Sequence, residues 1–200
     1  MKSYLATSKV KGEIMIKLLR NRLALSTVVT TLIILVVSVL LATVVVYFAT
    51  NVVSTRVQEE NLHLTKQHVW YDNTNGGQAA IMIINTGGRD VVIDKISVRG
   101  QECAWSNMCY NITTGSITAD LPYNSSATVG TGNIAIGGTP YTFNATSNDL
   151  TLKSGYTILI YIDDPDSISI NDVGLTVSIA IYTSNAVHYQ EANVEATIMP

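Results

Sequence analysis

The side chains able to bind or react are few, and most lie in the second half of this 200-residue chain. Asp163-Asp164-Pro165-Asp166, with Asp172 following, offers carboxylate oxygens of the kind that hold Ca²⁺. The run lacks the glycine and the terminal Glu of an EF-hand loop, and Pro165 beside Asp166 reads more simply as a turn after a strand. Asp163, Asp164 and Asp166 are therefore a weak metal candidate, and no cofactor is expected. Cys103 and Cys109 lie in a polar segment, QECAWSNMCYNITTG. In an oxidising compartment they are expected to close a disulfide worth about 2 kcal/mol in the chain-entropy model, free thiols being the alternative. Three Asn-x-Ser/Thr triplets, at Asn111, Asn124 and Asn144, are candidate N-glycosylation sites, although such triplets also arise by chance in a Ser/Thr/Asn-rich stretch. No nucleophile elbow, phosphate-binding loop, Rossmann glycine pattern or HExxH occurs, so the sequence predicts no enzyme.

The elements that must carry these residues divide sharply. The net charge of −3 argues against a nucleic-acid partner, and it is an average over two unlike parts. Residues 1–24 hold six Lys/Arg against Glu13 alone, a charge of +5, and the remainder holds six basic and fourteen acidic groups, a charge of −8. No charged residue occurs between Arg22 and Arg56, and neither Gly nor Pro between Glu13 and Asn75. The 33 residues Leu23–Thr55 would form a helix about 50 Å long, against about 30 Å of bilayer hydrocarbon. The residues 56–68 that follow are polar and compatible with helix, so one helix is expected from Leu25 to about His68, carrying His63 and His68. The basic flank places the N-terminus in the cytoplasm and the rest outside. Thr27, Thr31, Ser38, Ala42 and Ala49 fall on one face, where small side chains let helices pack closely; chance is the bland alternative. Glu59 and Glu60 read as a solvated face, with Lys66 as a possible ion-pair partner.

From Tyr71 onward the composition turns to Gly, Asn, Thr and Ser with period-two alternation. Asp72–Gly77 is expected to connect the helix to strands near 79–85, 90–99, 116–121, 126–129, 133–136, 157–162, 174–183 and 186–198. Leu175, Val177, Ile179 and Ile181 are expected to point inward. Many short strands argue for an all-β sandwich of Ig-like type after the helix, an α+β chain overall. The expected organisation is a leader at 1–24, a helix at 25–70 and a β domain at 71–200.

The apolar block admits three readings. It is too long for an ordinary secretory signal and ends in no small-residue cleavage site. It suits a single-span anchor that tethers a surface binding protein. It also suits a leader cut ahead of a retained helix. Here RNRLALSTVVTTLIILVVSVLLATVVVYFAT resembles the N-termini of archaeal type IV pilins and archaellins, and IMIINTGGRDVVIDKISVRG resembles the first hairpin of their β domains. The resemblance implies that a prepilin-type peptidase cuts near Arg22-Leu23-Ala24-Leu25-Ser26, between Ala24 and Leu25. It further implies a membrane assembly platform with its ATPase, and a homopolymer in which helices form the core and glycosylated β domains face outward. Val29 stands where bacterial pilins carry a Glu, and no Pro kinks the helix; both features fall on the archaeal side. The expected function is a structural subunit of an archaeal pilus-like surface filament for adhesion, membrane-inserted before assembly and extracellular after it. The alternatives are an archaellin of a rotary archaellum used in motility, and an anchored surface protein or minor pilin.

Overall fold

The computed structural model describes residues 2–124, 132–146 and 148–197. The chain forms two compact units, divided after Ser54. The first consists of the helix α1, Lys2–Gln58, whose last residues belong to the second unit. The second is a sandwich-like β unit, so the chain has the expected α+β class: one long apolar helix, then an 11-stranded mixed sheet.

The helix begins earlier and stops earlier than the sequence predicts. It includes the basic residues expected to form a leader, and it ends at Gln58. Residues 62–72 form strand β1, Leu62–Asp72, so His63, Lys66 and His68 lie on a strand and not on the helix. Acidic side chains oppose the dipole at a helix C-terminus, and Glu59 and Glu60 stand at this one. Beyond them Leu62 alternates with polar residues and pairs antiparallel with β2, Gly76–Asn85. Tertiary pairing thus overrides a helical propensity that the sequence leaves open. Asp72–Gly77, expected to lead out of the helix, is instead the β1–β2 hairpin turn.

The remaining strands are β3 (Val91–Val98), β4 (Gln101–Glu102), β5 (Met108–Thr113), β6 (Gly132–Ile136), β7 (Thr139–Ala145), β8 (Leu150–Leu152), β9 (Thr157–Asp163), β10 (Thr176–Thr183) and β11 (Val187–Ala196). Their order is β4-β3-β10-β11-β1-β2-β9-β5-β7-β6, with β8 beside β3. The C-terminal strand joins the two walls: β11 pairs antiparallel with β10 and parallel with β1. β2 and β3 do not pair with each other, so the Thr86-Gly87-Gly88 segment carries the chain from one wall to the other and is not a hairpin turn. Residues 116–121 are not a strand, and 126–129 lie outside the described residues.

Two apolar clusters share the β1-β2-β9-β5 wall. One face packs Ile81, Ile83, Ile158, Ile160 and Ile162 against Ile93, Ile96, Val177, Ile179 and Ile181 of the opposite wall. The other face packs Trp70, Met82, Leu159 and Tyr161 against Ile134, Ile136 and Phe143 of the β6–β7 hairpin and against Ile117 and Leu121. Burial on both faces explains why β2 and β9 read as continuous apolar runs. The covering segment 117–124 is tied down by Lys66 Nζ on Ala119 O, His68 on Asp120 at 2.9 Å and Tyr161 OH on Pro122 O at 2.9 Å. Gln78 grips both backbone groups of Asn124, at 2.9 and 3.0 Å.

Candidate functional site

The first candidate site is the helix surface. Every residue from Leu25 to Thr55 is exposed, among them Leu32, Leu35, Leu40, Val45, Tyr47 and Phe48. Leu25–Thr55 is the one span among the described residues long and apolar enough to cross a membrane. A helix that is apolar all round needs an apolar surrounding, where an amphipathic one would need only a core on one side. Four of the hydroxyl side chains along it do not conflict with that. Thr30 and Thr43 bond carbonyls four residues back at 2.8 Å, Ser38 does so at 2.7 Å, and Thr31 bonds Val28 O at 2.9 Å. The hydroxyls turn inward to the backbone and present methyl and methylene groups outward. Thr27, Thr31, Ser38, Ala42 and Ala49 are all exposed. Leu25 and Ser26 lie in the same unbroken helix, and the side chains of Arg22, Leu23 and Ala24 lie outside the described residues.

The second candidate site is where the chain enters the β unit, at Glu59-Glu60-Asn61. Glu60 is held by the β10–β11 hairpin. Its Oε1 accepts from Thr183 Oγ1 at 2.5 Å and lies 3.2 Å from His188 Nε2, and its Oε2 accepts from Asn185 Nδ2 at 3.1 Å. Only 7% of the Glu60 side chain and 20% of His188 remain exposed. Burial raises the carboxyl's affinity for a proton, but the hydrogen bonds from Thr183, Asn185 and His188, with the His188 charge, hold its pKa below the ordinary value. Next to it, Asn61 O accepts from the backbone N–H groups of Thr86 and Gly87 at 2.9 and 3.1 Å and from Thr86 Oγ1 at 3.1 Å. Asn85 is fully buried and shapes that turn: its Nδ2 donates to Arg89 O and Leu152 O, and its Oδ1 accepts from Gly87 N. A Cβ on Gly87 would stand 2.6 Å from Glu59 O and 2.8 Å from Asn61 N. The Asn-Thr-Gly signature is therefore a docking turn for the incoming chain. The sequence shows the motif without its role, because the partner lies 25 residues away.

Of the sequence-predicted residues of the β unit, Cys103 lines one cavity with Asp163, Asp164 and Asp166, and Cys109 does not. Cys103 and Cys109 are free thiols, which corrects the expected disulfide. Cys103 packs beside the inter-wall cluster, whereas Met108 faces that cluster and its neighbour Cys109 points to the opposite face of the strand. Burial pushes both thiols up to about 11, aided by the Asp166 and Glu102 charges at Cys103 and by Asp163 at Cys109. Asp163, Asp164 and Asp166 line a cavity of about 90 Å³ with Glu102, Cys103 and Asn107. The described residues contain no His/Cys/Asp/Glu group arranged to hold a metal ion. Burial, then the Asp164 charge, raises the pKa of Asp163. Asn144 is exposed on β7. Asn111 is half-buried, with Nδ2 donating to Thr142 O at 2.7 Å and Oδ1 shut from solvent without a partner among the described residues. Lys66 is spent on Ala119, and Glu60 pairs with His188 in place of the solvated or Lys66-paired role that the sequence suggests.

No protein-family model matches this chain, and no curated protein sequence matches it. Among solved structures, it is similar to the apo PmoF2 PCuAC domain at 10% identity and TM-score 0.40, over 69% of this chain and 95% of that one. It is similar to a family 123 glycoside hydrolase from Clostridium perfringens at 10% identity and TM-score 0.31, over 70% of this chain and 27% of the hydrolase. The ligand-binding region of Serine-glutamate repeat protein A of Enterococcus faecium aligns at 16% identity and TM-score 0.28, over 70% of this chain and all of that region. Such scores carry no argument about function.

Proposed function

We propose that this chain is a structural subunit of an archaeal type IV pilus-like surface filament, used for surface attachment. The reading rests on one observation above all: a 31-residue, predominantly apolar helical span in which every residue is exposed among the described residues. Before assembly, lipid surrounds it; in the filament, the helices of other copies do. Burying about twenty large apolar side chains at roughly 1.5–3 kcal/mol each relative to water gives tens of kcal/mol per subunit, so the assembled form resists dissociation. The resemblance of residues 20–60 to archaeal pilins supports leader removal before Leu25. The acidic β unit then faces outward as a soluble, attachment-bearing surface. The grip on Glu60 and Asn61 supports a β unit secured at its first residues.

Shearing cells that produce the protein, imaging the supernatant and sequencing its filaments by mass spectrometry tests the reading. Filaments containing this chain with a start near Leu25 support it. Chain recovered only in membranes, with Met1 retained and no filament, overturns it in favour of a tethered surface protein.

A further inference from the structure

The span is longer than a bilayer requires, and its polar and aromatic residues divide it. Its 31 residues, Leu25–Thr55, measure about 46 Å at 1.5 Å per residue, against about 30 Å of hydrocarbon. Tilting alone would need roughly 50°, outside the range of about 0–40° seen for membrane helices. About ten residues must therefore leave the hydrocarbon, from one end or the other.

Expelling the N-terminal end would place Val28, Val29, Leu32, Ile33 and Ile34 in water, each at least 50% exposed along the helix. Expelling the C-terminal end releases Thr50, Asn51, Ser54 and Thr55, with Val52 and Val53 the only large aliphatic residues after Val46 in the run. The Asn51 side chain is a carboxamide, a strongly polar group that is more stable in water than in hydrocarbon. Twenty residues counted from Leu25 end at Val44, less than one turn before Tyr47. Tyr47 and Phe48 are 71% and 68% exposed, and the Tyr47 ring with its polar hydroxyl tip is stable at the headgroup level. The inner end is fixed by the basic residues up to Arg22, or by the new amino group at Leu25 once the leader is removed.

We propose that the partner of the Leu25–Val46 surface is lipid hydrocarbon, that its outer boundary falls at Tyr47–Phe48, and that Ala49–Gln58 stands in water outside the membrane. This rests on the reading that the helix spans the membrane before assembly. The projecting segment is ten residues long, about 15 Å of helix.

Single cysteines at Leu40, Val45, Asn51, Ser54 and Gln58 in a Cys103→Ser/Cys109→Ala background test the boundary with a membrane-impermeant maleimide on intact cells. Positions 51, 54 and 58 should label at least tenfold faster than 40 and 45, which react only after detergent. Labelling at 58 but not at 51 or 54 overturns the boundary while leaving the span in place. Labelling at every position, or release of the chain by alkaline carbonate, overturns the span itself and the boundary with it. Hydrogen exchange of the unsubstituted chain in palmitoyl-oleoyl phosphatidylcholine nanodiscs reads the same boundary without mutation. A step in protection between Phe48 and Asn51 supports it, and uniform protection to Thr55 overturns it.

Discussion

Glu60 is a carboxylate with one assigned set of partners, and that makes it testable. Its oxygens accept from three side chains of one hairpin, Thr183, Asn185 and His188. In Glu60→Gln, an amide N–H replaces the oxygen that faces Asn185 Nδ2, setting donor against donor. Hydrogen bonds to charged groups contribute about 1.5–3 kcal/mol, so the variant should lose about 2 kcal/mol of stability at neutral pH. The folded pKa lies below the ordinary value of 4.5. The contribution is therefore complete above that value and disappears as pH falls through the lower folded pKa. Denaturant unfolding of both proteins between pH 7 and pH 3 should show the gap closing below about pH 4.5. A gap that is constant with pH would show that the carboxylate charge is not what the hairpin grips.

The sequons differ at the same scale. Asn144 is exposed, while the amide of Asn111 is committed to Thr142 O and its carbonyl oxygen is enclosed. Attachment of a bulky glycan needs an open amide nitrogen. Glycopeptide mapping of the protein from its native host should find Asn144 occupied and Asn111 bare; the reverse occupancy would overturn this ranking. The triplets were legible in the sequence, but their exposure was not, because it depends on β5 and β7 pairing at Tyr110 and Asn144.

The elements show where sequence periodicity succeeds and where it fails. Strand β10 was readable: Val177, Ile179 and Ile181 alternate inward, although Leu175 precedes the strand and is 49% exposed. Strand β1 was not readable. Its alternation breaks at a bulge between Thr65 and His68, where Lys66 takes φ 52°, so Leu62 and Val69 face the same cluster at odd separation. β3 slips in the same way, with Ile93 and Ile96 both buried across a register shift. Such slips are set by the partner strand and leave no local trace. The docking turn gives an element-scale prediction. Gly87→Ala would drive a methyl into the backbone of Glu59 and Asn61. Overpacking of this kind costs about 1–3 kcal/mol, and backbone atoms cannot rotate aside. A thermal midpoint lowered by several degrees is expected, and an unchanged midpoint would show that Glu59–Asn61 can be displaced freely. On the helix, Ala42→Leu should leave membrane insertion intact and lower the yield of sheared filaments, if the small-residue face packs closely between copies. An undiminished yield would move the contact to another face.

At the scale of the whole molecule, the division after Ser54 and the shared wall of the β unit make opposite demands. The span Leu25–Thr55 is predominantly apolar, and every residue in it is exposed among the described residues. The β unit holds both apolar clusters, and the wall β1-β2-β9-β5 contributes one face to each. Leu159 and Tyr161 alternate with Ile158, Ile160 and Ile162 along β9, so the strand cannot leave one cluster without leaving the other. The β unit should therefore unfold as one cooperative unit despite its two clusters. It carries six basic and fourteen acidic side chains, enough net charge to keep it dispersed without the helix. A fragment starting at Thr55 keeps Glu60, Asn61 and all eleven strands. It should be monomeric without detergent and unfold in urea in one transition, with tryptophan fluorescence and far-ultraviolet circular dichroism coincident. Trp70 reports the outer cluster and Trp105 lies beside the inter-wall cluster, so fluorescence covers both. Two separated transitions would show that the shared wall does not couple the clusters. A fragment that folds only in detergent would show that the β unit depends on the apolar span for its stability.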